Sequence, residues 1–246
     1  MRAKISAHYR FFISPEYPDS RGTVRFSRGE SRHMTASLRV SEGDMVSATD
    51  GRGSIYRLAV ESASGREVVA RVVSVEHAEQ IGPMVHLFQG VIKPSRMELI
   101  VEKATELGLG GFTPVLSARS DAKVGRIRME RLKRAAIEAM KQSLGAYLPY
   151  VRDPVGFDEA VDITGDFDFM LIAREGEGAE PLDQVLGGVE KGRVALWVGP
   201  AGGFTDDEMT MLAERGAIAF TLGPRRLKSE TAAIASLAII QHILLS

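Results

Sequence analysis

The chain has 246 residues, 44% of them apolar and 26% charged, enough for a domain of ordinary size plus a smaller one. It contains no cysteine, which excludes a disulfide framework, thiolate chemistry and cysteine-ligated zinc. No stretch reads as a signal core or a membrane span, so a cytoplasmic location without a membrane partner is expected. The formal net charge of −1 permits a polyanionic partner only if the charges are segregated, and they are.

Residues 1–75 read as a small β domain. Short alternating segments occupy Thr23–Phe26, Met45–Ala48, Ile55–Val60 and Glu67–Val73, and Asp50-Gly51 is a hairpin-turn signal between two of them. Between residues 21 and 39, Arg21, Arg25, Arg28, Arg32 and Arg39 stand against the single Glu30. Arginines without interleaved glutamates suit phosphate recognition, because each guanidinium offers a bidentate fork. A second basic stretch from Arg119 to Lys141 includes Lys123, Arg126, Arg128, Arg131, Lys133 and Arg134. It reads equally well as the solvated face of a helix. Acidic residues dominate 154–218.

The pattern changes near Glu79–Pro83, and residues 76–246 read as α/β. Val85–Gly90 is an apolar strand, and Pro94 opens a helix that places Met97, Ile100, Val101 and Ala104 on one face before Gly108. Phe112–Leu116 is the next strand, followed by a basic helix over 126–144 and a strand at Phe167–Ala173. The last helix, Thr231–Leu245, is apolar nearly all round and must be covered on several sides.

Two glycine-containing loops hold the chemistry. Leu196–Phe204 and Thr221–Thr231 each read as strand, tight turn, helix, so the two turns can lie side by side at one edge of a parallel sheet. Neither has the spacing of a P-loop or of a dinucleotide fingerprint. The helix after the first loop opens with Thr205-Asp206-Asp207-Glu208, a capping box carrying three carboxylates, where a phosphate would be repelled. A Gly-Pro-x-Gly-Gly turn still lets backbone approach a neutral or cationic ligand, such as an adenosine carrying a sulfonium. Either loop alone is also compatible with a purely structural turn. His8, His33, His77, His86 and His242 show no metal-ligand spacing, and no metal is expected.

Taken together, Gly199-Pro200-Ala201-Gly202-Gly203-Phe204 with its acidic helix start and Leu222-Gly223-Pro224-Arg225-Arg226-Leu227-Lys228-Ser229-Glu230-Thr231 resemble the RsmE family of SPOUT-class methyltransferases. Lys103–Gly108, Thr113-Pro114 and Arg119-Ser120 resemble the family's middle segment, and His33, Leu38-Arg39, Gly43-Asp44 and Asp50-Gly51 its RNA-binding domain. The resemblance implies an α/β SPOUT-type (trefoil-knotted) methyltransferase domain over 76–246 and a PUA-like β-barrel domain over 1–75. It implies a homodimer that uses S-adenosyl-L-methionine to methylate N3 of a uridine in 16S ribosomal RNA of the small subunit, position 1498 in that RNA's numbering.

By the same resemblance, Leu171, Ile172, Ala173, Gly199, Pro200, Gly202, Gly203, Leu222, Gly223, Leu227 and Thr231 hold the cofactor. Arg225, Lys228 and Glu230 are the expected catalytic residues, and Arg226 joins Arg21, Arg25, Arg28, Arg32 and Arg39 in contacting RNA. Glu230 orients an arginine or takes the proton; a structural ion pair is its other reading. Two positions depart from the family. Ala201 stands where members commonly carry Glu, and Lys141 replaces a frequent Glu, with no Arg after Gly145. A ribose 2′-O-methyltransferase of the same fold and a non-catalytic RNA-binding or assembly protein remain open.

Overall fold

A computed structural model describes residues 9–13, 18–80, 82, 84–120, 127–176, 178–187 and 192–245. Lys123, Arg126 and His8 therefore lie outside the described residues, as do Ile81 and Pro83 at the expected boundary. The chain divides into two units, Met1–Gln80 with Ile137–Leu148, and Ile81–Ala136 with Pro149–Ser246.

The first unit contains β1 (Phe11–Phe12), β2 (Thr23–Arg25), α1 (Arg28–Arg32), β3 (Met45–Thr49), β4 (Ser54–Ala63) and β5 (Val68–His77). The five strands form one sheet in the order β1-β3-β4-β5-β2, antiparallel except for β1 beside β3. Tyr56, Leu58 and Val60, at the two-residue period of a strand, are buried with Phe11, Val24, Val46 and Ala70. The turn between β3 and β4 is the expected one. Asp50 Oδ1 accepts from the amides of Arg52 at 2.8 Å and Ser54 at 3.3 Å.

This unit is discontinuous in sequence. Leu148 N donates to Gly51 O at 2.8 Å, Tyr147 Oη donates to Ala78 O at 2.8 Å, and Lys141, 2% exposed, meets Glu30. No composition shift marks Ile137–Leu148 as part of it.

The second unit runs through β6 (Met84–Gly90), α2 (Pro94–Glu106), β7 (Gly111–Leu116), α3 (Met129–Gln142, whose residues are divided between the units), β8 (Tyr150–Val151) and β9 (Val155–Gly156). It continues with α4 (Phe157–Ile163), β10 (Phe169–Ala173), β11 (Glu180–Pro181), α5 (Leu182–Leu186), β12 (Arg193–Val198), α6 (Asp206–Glu214), β13 (Ile218–Thr221) and α7 (Ser229–Leu245). Every pairing is parallel, in the order β11-β13-β10-β12-β6-β7-β8, with β9 also on β7.

The central strands β6 and β12 are covered on both faces, so they read as continuous apolar runs rather than alternating ones. Trp197 of β12 stacks on Phe88 of β6 with ring centres 4.8 Å apart. α7 packs against α2, α5 and strands β6, β10 and β12, which accounts for its apolar circumference. Because β12 and β13 run in the same direction, the loops that follow them emerge at the same sheet edge.

Candidate active site

The loop from Gly199 to Thr205 links β12 to α6, and the loop from Leu222 to Lys228 links β13 to α7. They enclose a cavity of about 250 Å³ whose lining also includes Ala173, Glu175, Asp206, Met209 and Phe220. A side chain at Gly90, the end of β6, would place its Cβ 2.5 Å from Pro200 N and Cδ. That contact is shorter than atoms tolerate, so the first loop seats only over glycine. Gly203 then takes φ +70°, which lets the chain turn back into α6.

A buried polar clamp holds this loop. Gln89, fully buried on β6, donates from Nε2 to Gly90 O and to Ser229 Oγ, both at 2.8 Å. Ser229, the first residue of α7, donates in turn to Gly199 O at 2.6 Å. On the outer side Arg119 Nη1 donates to Gly202 O at 3.0 Å and Phe204 O at 3.2 Å. Glu208 closes the capping box with Thr205 and also accepts from Ala118 N at 2.7 Å. The acidic helix start is thus partly engaged, leaving Asp206 to face the cavity.

The second loop is tied at its start by the Thr221 hydroxyl, which accepts from Gly223 N and donates to Gly223 O, both at 3.2 Å, and further on by one carboxylate. Glu175 accepts from Leu227 N at 3.2 Å and pairs with Arg226 Nε at 3.3 Å, with both side chains at least half exposed. A second cavity, of about 670 Å³, shares Ala201, Arg226, Leu227 and Ser229 with the first. Lys228 and Glu230 line this second space, and Glu230 Oε1 lies 3.5 Å from Arg96 Nε.

The expected site residues therefore separate into groups. Ala173, Gly199, Pro200, Gly202, Gly203, Leu222, Gly223, Leu227, Arg225 and Arg226 line the first cavity. Leu171 and Ile172 are buried within β10, and Thr231 is exposed on α7; none of these three lines it, whereas Ala232 does. A one-residue step rotates a helix by roughly 100°, which is why the lining takes Ala232 and not its neighbour. Gln89, Ser229, Glu175 and Arg96 had no assigned part in the sequence reading. A polar residue inside the buried run Val85–Gly90 was the available signal for Gln89. Among the described residues no cluster could hold a metal ion.

In the first unit, Arg21, Arg25, Arg28, Arg32 and Arg39 are all exposed, and Arg25 pairs with Glu67 at 2.9 Å. The run's only carboxylate faces inward instead. Glu30 Oε1 accepts from Lys141 Nζ at 2.5 Å, with Glu138 at 3.0 Å and the Tyr9 ring centre 5.5 Å away. Burial pulls the Lys141 ammonium down, but the bond and charge of Glu30, with Tyr9 and Glu138, outweigh it and hold Lys141 above its ordinary value. Lys141 is thus spent inside the unit.

Comparison with known proteins identifies both regions. Residues 80–241 match the family model of an RNA methyltransferase domain, and residues 26–73 that of an RNA methyltransferase PUA domain. Ribosomal RNA small subunit methyltransferase E of Bacillus subtilis is 29% identical over 95% of this chain and 96% of its own. The protein of the same name from Aquifex aeolicus is 30% identical over 91% of this chain and 96% of its own. The crystal structure of such an enzyme from Neisseria gonorrhoeae, bound to S-adenosyl methionine, is 27% identical with a TM-score of 0.82, covering 95% of this chain and 97% of that one. The architecture is the expected SPOUT-type α/β fold with a PUA-like domain.

Proposed function

From a chain that belongs to the RNA methyltransferase family, we propose a specific reaction: transfer of the methyl group of S-adenosylmethionine to N3 of a uridine in 16S ribosomal RNA of the small subunit. The observation that carries this reading is the pair of glycine loops meeting in one cavity that adjoins a second, cation-lined one. The Neisseria relative, crystallised with bound S-adenosyl methionine, supports the choice of cofactor.

The lining of the first cavity suits that group. Gly199–Gly203 with Leu222, Gly223, Arg225, Arg226 and Leu227 form about half of its lining, and Glu175 and Asp206 supply carboxylates toward a cation. The cofactor, when bound, supplies an electrophilic methyl on a sulfonium. The chain's own residues do the remainder. N3 of uridine is protonated at neutral pH, so its lone pair develops only as the proton passes to water. Arg225 and Lys228 stabilise the resulting negative charge on the ring, an effect strongest where water is excluded. Glu230, 3.5 Å from Arg96, orients that arginine. Holding ring and methyl donor together supplies much of the remaining acceleration.

In this reading residues 1–75 bind RNA through Arg21, Arg25, Arg28, Arg32 and Arg39, joined by Arg226, and residues 76–246 carry the chemistry. The enzyme works in the cytoplasm as a homodimer, a state supported by the partly exposed apolar residues Ile239, Ile243 and Leu245 on α7. The test is incubation with labelled S-adenosylmethionine and small subunits lacking the modification, followed by nucleoside analysis. Label in 3-methyluridine is expected. Label in a ribose-methylated nucleoside would overturn the N3 assignment, and no label with no cofactor binding would leave a non-catalytic protein.

A further inference from the structure

The second cavity combines two chemistries that rarely share a wall. Val91, Ile92 and Leu227 give it an apolar lining, while Lys93, Arg96 and Lys228 bring cations to it. Among the described residues Glu230 is the one carboxylate in its lining, and Arg96 already pairs with it. Lys93 and Lys228 are exposed and have no ion-pair partner among the described residues. Among the described residues Arg119, also in the lining, bonds to carbonyls and to no carboxylate.

An apolar surface accepts a flat, uncharged ring; unpaired cations at its edge accept phosphate. A nucleotide within an RNA strand has both parts. The volume, about 670 Å³, lies within the ordinary range of ligand sites. The end of α2 reinforces the charge. Lys93 is its N-cap, no side chain caps it and no acidic residue stands in its first turn. The start of α6, by contrast, has three acidic residues and a closed capping box.

The acceptor atom imposes a further requirement. N3 lies on the Watson–Crick edge of uracil, so no paired uridine can present it. The nucleotide must stand unpaired and turned out of its stack, in a pocket of its own beside the methyl donor. Among the described residues, Ala201, Arg226, Leu227 and Ser229 are common to the two cavities, and Ala201 contributes nothing larger than a methyl group to that partition.

We propose that the second cavity receives the acceptor nucleotide, turned out of its RNA, with its ring against Ile92 and Leu227 and its flanking phosphate held by Lys93 and Arg96. This rests on the methyltransferase reading above and adds to it the place of the RNA and two residues that hold it.

Lys93→Ala tests it, because the Lys93 side chain makes no bond among the described residues whose loss would unfold the chain. Methyl transfer to small ribosomal subunits lacking the modification is measured at several salt concentrations, with cofactor affinity followed by calorimetry. The expected result is an RNA KM raised roughly threefold to tenfold, and a salt dependence shallower by about one phosphate contact. Cofactor affinity stays unchanged, and Lys93→Arg restores the wild-type KM. A wild-type KM and salt slope in Lys93→Ala would overturn the proposal, as would a loss confined to cofactor affinity. Should the wild-type protein transfer no methyl group, the methyltransferase reading itself fails. Binding of a short uridine-containing single-stranded RNA then decides the cavity: weaker binding by Lys93→Ala supports it, and equal binding overturns it.

Discussion

The two loops share a pattern of strand, Gly-Pro turn and helix, yet they are held in opposite ways. The loop after β12 is seated over Gly90 and gripped by Gln89, Ser229, Arg119 and Glu208, several of them buried. The loop after β13 is held only by exposed groups, the Thr221 hydroxyl and the Glu175 carboxylate among the described residues, and carries the cations Arg225, Arg226 and Lys228 into the solvent-facing side of the site. The contrast separates two tasks. In the proposed reaction, one loop sets the shape of the cofactor cavity before any ligand arrives, and the other brings charge to the reacting ring.

Breaking the rigid side should have the largest effect. Gly90→Val drives its new side chain into the backbone of Pro200. A loss of about 3 kcal/mol of stability is expected, together with loss of cofactor binding, read by thermal unfolding and calorimetry. If the variant binds cofactor normally, the first loop is not preformed.

On the other loop the prediction is catalytic. Arg225→Ala or Lys228→Ala should lower kcat roughly 100-fold, about 2.7 kcal/mol, while cofactor affinity remains near that of the wild type. A large affinity loss instead would move those residues from charge stabilisation to cofactor binding.

The strand beneath the rigid loop also carries His86, and burial, then the nearby charges of Arg152 and Arg193, lowers its pKa from 6.5 to about 4. The folded state therefore favours neutral imidazole, and between those values the unfolded chain binds more protons. The stabilisation is complete above pH 6.5 and is lost as pH falls to about 4, by about 2 kcal/mol in denaturant titrations. His86→Asn should flatten that slope.

Removing the clamp should cost less. Gln89→Leu leaves Ser229 Oγ without its donor and is expected to lower stability by about 1–2 kcal/mol. It should raise the cofactor KM more than it changes kcat. The smallest effect belongs to Glu175→Gln, which keeps one acceptor for Leu227 N at an exposed site. Stability should shift by no more than about 0.5 kcal/mol. An effect as large as that of Gln89→Leu would erase the distinction between the loops.

Several of these features were legible in the residues alone. The Asp50-Gly51 turn, the Thr205–Glu208 capping box, the proline opening α2 and the apolar circumference of α7 all follow from neighbours a few positions apart, where backbone geometry and side-chain periodicity act directly. Element edges were less legible. The helix expected over 126–144 occupies Met129–Gln142, and the strand expected from Phe167 begins at Phe169, after a tight turn at Thr164–Asp166.

By itself, then, the sequence determined the longer strands and helices, the two loops and the placing of an arginine run within the first unit, but not the short elements β1, α1, β8, β9, α4, β11 and α5. Tertiary structure decided which groups face one another. It returned Ile137–Leu148 to the first unit and turned Lys141 inward onto Glu30, 111 positions away. It left Leu171 and Ile172 inside β10, and it brought Ser229 to Gln89 across 140 positions. The physical reason is range. Caps, turns and amphipathic periods are settled within a helical turn or two of chain, so residue type suffices to write them. A buried hydrogen bond between distant segments exists only after the sheet has fixed both ends, and no local pattern encodes its partner.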